Sequence, residues 1–166
     1  MRTEISYNAS KITVHTTISE TQDSNADLIV SQCGSTNRKS RISIRVNGRI
    51  IEVLFLWSHF SDEASLCVHW EENNQLLFLG GGGVSAVIDI INIGVKHCNY
   101  PTLFWSWEVI GNHILELGEI ECRLYKLSGE LVGETSVDPP YEYKVTEYSI
   151  EFSSMVLGST SIKILN

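Results

Sequence analysis

The dipeptide Asn47-Gly48 lies between two runs, Ser40–Val46 and Arg49–Trp57, in which apolar and polar residues alternate. Asn-Gly accepts the positive φ angles of a type I′ turn, whose twist matches the strands it joins. Pairing outward from the turn sets Val46 opposite Arg49, Ile44 opposite Ile51 and Ile42 opposite Val53. Ile42, Ile44, Val46, Ile51, Val53, Phe55 and Trp57 then share one face. Arg41, Ser43, Arg45 and Glu52 fall on the other, with Ile50 and Leu54. A turn and an alternation that agree in register commit this segment to a β-hairpin.

The same grammar runs through the chain: short stretches rich in Val, Ile, Thr and aromatics, broken by Gly, Asn, Asp and Ser. Strands are predicted at Thr3–Tyr7, Lys11–Ile18, Leu28–Cys33, Ser40–Val46, Arg49–Trp57, Ser65–Trp70, Gln75–Leu79 and Val84–Ile91. Further strands are predicted at Thr102–Ile110, His113–Leu117, Ile120–Leu127, Leu131–Val137, Glu142–Thr146, Ser149–Ser153 and Ser161–Leu165. A turn or two of helix fits only near Ser19–Asp27 or Ser58–Ser65. The 166 residues, 43% hydrophobic and 19% charged, suit one domain spanning 1–166. Ser19–Asp27, Gly34–Ser40 and the stiff connector Asp138-Pro139-Pro140 read as loops too short to divide it.

A repeat is visible. Leu77-Phe78-Leu79-Gly80 followed by Val87-Ile88-Asp89-Ile90 resembles Ile114-Leu115-Glu116-Leu117-Gly118 followed by Leu124-Tyr125-Lys126-Leu127. Ile150-Glu151-Phe152 followed by Ile162-Lys163-Ile164 is a third, degenerate copy, at a spacing of about 36–38 residues. The pattern resembles propeller-type repeats in character, but four or more four-stranded blades are not expected from 166 residues. The expected fold is therefore all-β: a single-domain antiparallel β-sandwich or open barrel built from successive hairpins.

Charge is uneven. Residues 1–83 carry seven Lys/Arg against nine Asp/Glu, and residues 84–166 carry five against eleven, so most of the net charge of −8 lies in the second half. Such a field opposes nucleic-acid binding, which needs cations for phosphates, and attracts a basic partner. The N-terminus Met1-Arg2-Thr3-Glu4-Ile5-Ser6 has no apolar stretch of the secretory kind. The longest strongly apolar run, Val53–Trp57, is far short of the roughly 20 residues that span a bilayer. A cytoplasmic location without membrane contact is expected. So are reduced thiols at Cys33, Cys67, Cys98 and Cys122, none of which forms a C-x-x-C pair. The sequon Asn8-Ala9-Ser10 has no meaning in that compartment.

Several motifs bear on chemistry. Gly80-Gly81-Gly82-Gly83 with Ala86 matches G-x-G-x-x-A after a strand. A β-prone run follows it rather than a helix, and position 103 is leucine where an acid is required, so a hairpin tip or bulge is expected. Cys67 and His69 alternate on one strand below His59, Asp62 and Glu63, but no second ligand pair follows at diagnostic spacing, so these read as structural. His97-Cys98 places a base beside a thiol in sequence, yet neighbours on an extended chain point apart. No nucleophile elbow, H-E-x-x-H helix or P-loop occurs. The expectation is no catalytic, cofactor or metal site.

The residues favoured for partner binding are Glu116, Glu119 and Glu121, read as an exposed acidic edge near Glu108, with Trp105 and Trp107. The two tryptophans are placed on one strand face with Phe104 on the other, as core residues or as stacking anchors. One compact acidic domain without a catalytic constellation resembles the profile of toxin-neutralising immunity proteins. Occlusion of a basic protein partner, such as a toxin, is the functional expectation. The alternatives are a carbohydrate-binding β-sandwich, from Trp105 and Trp107, or a hydrolase using dispersed carboxylates.

Overall fold

The computed structural model describes residues 2–7, 10–17, 25–58 and 66–164. The helical turns expected near Ser19–Asp27 and Ser58–Ser65 fall almost wholly outside them, as do Asn8 of the sequon and His59, Asp62 and Glu63. All regular structure among the described residues is β, in four open sheets.

Two compact units are present, Met1–Tyr100 and Pro101–Asn166. The first unit begins with β1 (Arg2–Tyr7), β2 (Ser10–Thr17), β3 (Leu28–Ser31), β4 (Arg38–Val46) and β5 (Arg49–Trp57). They form one sheet in the order β1-β2-β4-β5-β3, with β3 parallel to β5 and the other pairs antiparallel. The Asn47-Gly48 turn forms as expected, at φ 49° and 77°. Its register is the one read from the sequence: Val46 faces Arg49, Ile44 faces Ile51 and Ile42 faces Val53. The predicted apolar face, from Ile42 to Trp57, is buried along its length.

The second sheet, β6 (Cys67–Glu71), β7 (Leu76–Gly81), β8 (Val84–Asp89) and β9 (Gly94–Asn99), is a simple meander. Trp70, Leu77, Leu79, Val84, Ala86 and Ile88 share a core cluster with Ile42, Ile44, Val53, Phe55 and Trp57 of the first sheet. The glycine run is the β7–β8 tip. Gly82 adopts φ +55°, and a Cβ there would land on the carbonyl oxygen of Ser58; one on Gly81 would sit 3.0 Å from the Trp57 ring. Glycine is required by close approach of two backbones, not by a phosphate.

In the second unit β10 (Phe104–Ile110), β11 (His113–Gly118), β12 (Glu121–Lys126) and β13 (Leu131–Ser136) form a four-stranded meander. A three-stranded one follows: β14 (Tyr141–Val145), β15 (Ser149–Ser154) and β16 (Gly158–Lys163). Leu115, Leu117, Cys122, Leu124 and Val137 join Ile150, Phe152 and Ile162 in the core of this unit.

The sandwich or barrel expectation is corrected. The hairpins are not gathered into two large facing sheets but are divided among four small ones. The length argument failed because the turns are tight: Cys67–Asn99 and Phe104–Ser136 complete four strands in thirty-three residues each. The repeated segments are the hairpins β7–β8, β11–β12 and β15–β16, the second and third strands of their meanders. β7 is buried at every position and β11 at all but its first, whereas β15 alternates. Near-continuous apolar runs mark strands covered on both faces, which a two-layer sandwich does not provide.

Candidate functional site

The charged centre of the second unit is a row across the third sheet. The register places Trp107 beside Glu116, Glu116 beside Arg123, and Arg123 beside Glu134. The Arg123 guanidinium reaches Glu116 Oε1 at 3.3 Å, Glu121 Oε2 at 2.6 Å and Glu134 Oε2 at 3.1 Å. Tyr125 donates its hydroxyl to the other Glu116 oxygen at 3.2 Å. Burial would weaken the Arg123 charge, but the carboxylates of Glu116 and Glu121, with Tyr125 and Glu134, outweigh it, and the net shift of its pKa is upward.

This arrangement corrects the acidic-edge reading. β11 and β12 are the inner strands of their sheet, so Glu116 is only 1% exposed. Glu121 turns to Arg123 and is 29% exposed at its side chain. Glu119 sits partly exposed in the turn, its N–H donating to the Leu103 carbonyl at 2.8 Å. The three glutamates therefore do not form one exposed surface. Counting back from the Gly118-Glu119-Ile120 turn pairs Glu116 with Arg123, so the neutralising partner was present in the sequence.

The two tryptophans separate. A bulge between Phe104 and Ser106 inserts Trp105 as an extra residue in β10, which breaks the alternation assumed for Trp105 and Trp107. Trp107 turns inward, 8% exposed, against Phe104 (centroids 5.4 Å apart) and edge-on to Tyr125 (6.0 Å). Trp105 turns outward, 43% exposed, and stacks face to face on Tyr141 at 5.1 Å with 7° between the ring planes.

Tyr141 and Tyr143 of β14, absent from the sequence expectations, hold this ledge in place. Tyr141 donates its hydroxyl to the Gly118 carbonyl at 2.8 Å, lies 3.5 Å from Cys122 Sγ, and packs its edge on Phe152. Burial, then the Cys122 contact, pushes its hydroxyl pKa strongly upward. Tyr143 donates to the Glu108 carboxylate; burial and that bond push it up to about 12. Burial likewise raises the Cys122 thiol, leaving it an inert core group. The only available signal was the connector Asp138-Pro139-Pro140, which aims β14 but does not reveal its neighbour.

The remaining candidates are dispersed. His69 packs on the Phe78 edge at 5.9 Å, and burial lowers its pKa against the opposing pull of Glu71. His97 and Cys98 are partly buried on the edge strand β9. Among the described residues no three His, Cys, Asp or Glu gather as metal ligands, and no helix is long and apolar enough to cross a membrane. The four cysteines are free thiols, Cys33 exposed and Cys122 buried.

Four small open sheets, three of them meanders of consecutive strands, define a propeller-like fold. The chain is similar in structure to the β-propeller domain of the trilobed protease from Pyrococcus furiosus, described as having an open velcro topology, at 9% identity and a TM-score of 0.52. The match covers 98% of this chain but 56% of the protease domain, so the chain spans just over half of that neighbour's length. The WD40 domain of SCAP from fission yeast matches at 12% identity and a TM-score of 0.34, over 95% of this chain and 60% of that one. No family model and no curated protein matches the chain. The propeller-like fold overturns the functional expectation. The carbohydrate-binding reading rested on a sandwich with Trp105 and Trp107 side by side, and neither exists. The immunity-protein reading rested on a profile of one compact acidic domain without a catalytic constellation, and the propeller-like fold gives it no support.

Proposed function

We propose that this chain is a propeller-type protein-interaction module that binds without catalysing, and that the Trp105–Tyr141 ledge is its contact. The observation that carries this reading is a tryptophan 43% exposed yet fixed by a parallel stack at 5.1 Å. An aromatic pair held rigid before binding offers large contact area at little entropic cost, and Trp and Tyr are enriched among residues that dominate interfaces. Residues 101–166 carry four Lys/Arg against ten Asp/Glu, so the surface it meets is basic.

The test is a photo-crosslinking amino acid placed at Trp105 and, separately, at Ser159 on the outer face of the last sheet. Position 105 is expected to give discrete protein adducts that position 159 does not. Trp105→Ala should then weaken binding of the recovered partner by about 2 kcal/mol or more while the protein stays folded, at a stability cost of about 1 kcal/mol for the lost stack. Identical adducts from both positions, or an unaltered affinity, would overturn the reading.

A further inference from the structure

We infer that the chain associates with a second copy of itself by seating the β15–β16 hairpin tip in an apolar socket of the other copy's first unit. The tip is Met155-Val156-Leu157, with exposures of 84, 79 and 50%. The same point of the repeat is Gly82-Gly83 between β7 and β8 and Glu119-Ile120 between β11 and β12. Only the last copy holds three adjacent apolar side chains in water. A protruding apolar tip of this kind marks a contact site.

The socket lies beside the Asn47-Gly48 turn. Val46, Ile51, Ile90 and Ile91 line it with Arg49 and Gln75, around a space of about 180 Å³. A cavity of roughly 150 Å³ accepts a benzene-sized group, so a leucine or methionine side chain fits. Its floor is deeply buried, with Ile51 4% and Ile90 0% exposed, while Ile91 stands at the rim, 61% exposed.

Charge identifies the occupant. On the strand pair β4–β5, which ends at the socket, Arg38, Lys39, Arg41, Arg45 and Arg49 stand against one acid, Glu52, which pairs with Arg41 at 3.5 Å. The unit that bears the tip has six more acids than bases. One copy thus presents an acidic unit with an apolar tip to the other's basic strand pair with an apolar socket. That acidity also disfavours insertion of the tip into an anionic lipid surface. Tip and socket are different surfaces of the chain. Two such contacts about a two-fold axis close a dimer, and one repeated head to tail gives an open chain.

Sedimentation velocity over a wide concentration range tests this, with Leu157→Asp and Ile91→Asp as the variants. Both positions are exposed, and circular dichroism confirms that each variant folds. Each should weaken self-association by about tenfold or more, the worth of one buried apolar side chain. Mixing the two variants should restore part of it, because the intact tip of one meets the intact socket of the other. A wild type that stays monomeric throughout overturns the proposal. So does a variant that associates like the wild type, or a mixture that regains nothing. Binding to neutral phosphatidylcholine vesicles without self-association would assign the tip to lipid instead.

Discussion

Replacing Arg123 with leucine tests the charged row most directly. Three carboxylates lose their cation, but not equally. Glu134 is 62% exposed and Glu121 29%, and pairs of that kind are typically worth no more than about 1 kcal/mol each. Glu116, at 1%, cannot turn to water. In Arg123→Leu it keeps the Tyr125 hydroxyl but loses the guanidinium 3.3 Å away, and breaking a buried pair typically costs about 3–5 kcal/mol. Folded domains are stable by only about 5–15 kcal/mol, so much of the margin would be lost. Arg123→Leu combined with Glu116→Leu should recover most of that cost, because a buried pair replaced by apolar groups is close to neutral. Urea unfolding of the wild type, both single variants and the double variant gives the full cycle. A cost for Arg123→Leu below about 1 kcal/mol, or a double variant no better than the single, would refute the assignment of Glu116 as a buried, Arg-held anion. By the same reasoning, replacing Glu116, Glu119 and Glu121 together with Gln should cost stability, nearly all of it at the buried Glu116.

Gly82→Ala should lower stability by about 2 kcal/mol or more, because its Cβ meets the Ser58 carbonyl at a positive φ; a melting temperature within error of wild type would contradict that close approach. His69 is held below its ordinary pKa in the folded state, so its contribution is complete above about pH 6.5 and declines as pH falls below it. His69→Phe should flatten that acid limb in urea titrations run against pH. Tyr143 shows the opposite limb: unfolded tyrosine ionises near pH 10 but the folded one only at about 12. Stability should therefore decline from about pH 10 upward, and Tyr143→Phe should lessen the decline.

Local structure was legible in the sequence to a high degree. Among the described residues, alternation and turn chemistry located every strand but β9, whose residues Gly94-Val95-Lys96-His97-Cys98-Asn99 lack an apolar stripe because it is a half-exposed edge strand entered from Ile93 at φ +50°. Sheet membership was less legible. Each hairpin is compatible with joining its neighbour's sheet or starting its own, and the decisive signal, apolar residues on both faces at Leu76–Leu79 and Ile114–Leu117, was passed over in favour of chain length. At the site, the bulge at Trp105 reversed the face of one tryptophan relative to the other, and bulges carry no dependable sequence mark. The pairing of Glu116 with Arg123 could have been counted from the turn. The Trp105–Tyr141 stack could not, because it joins two sheets.

The strand order of the first sheet bears on how the chain is made. The other three sheets pair each strand with the one just synthesised, so each can close as it leaves the ribosome. β3 is different. Its neighbour β5 begins at Arg49, after all of β4, and the two run parallel, so β3 must wait with open edges while its partner is translated. Leu28–Ser31 is thus the stretch where a pause in translation, or a chaperone that covers short apolar strands, would have most effect on the yield of native protein.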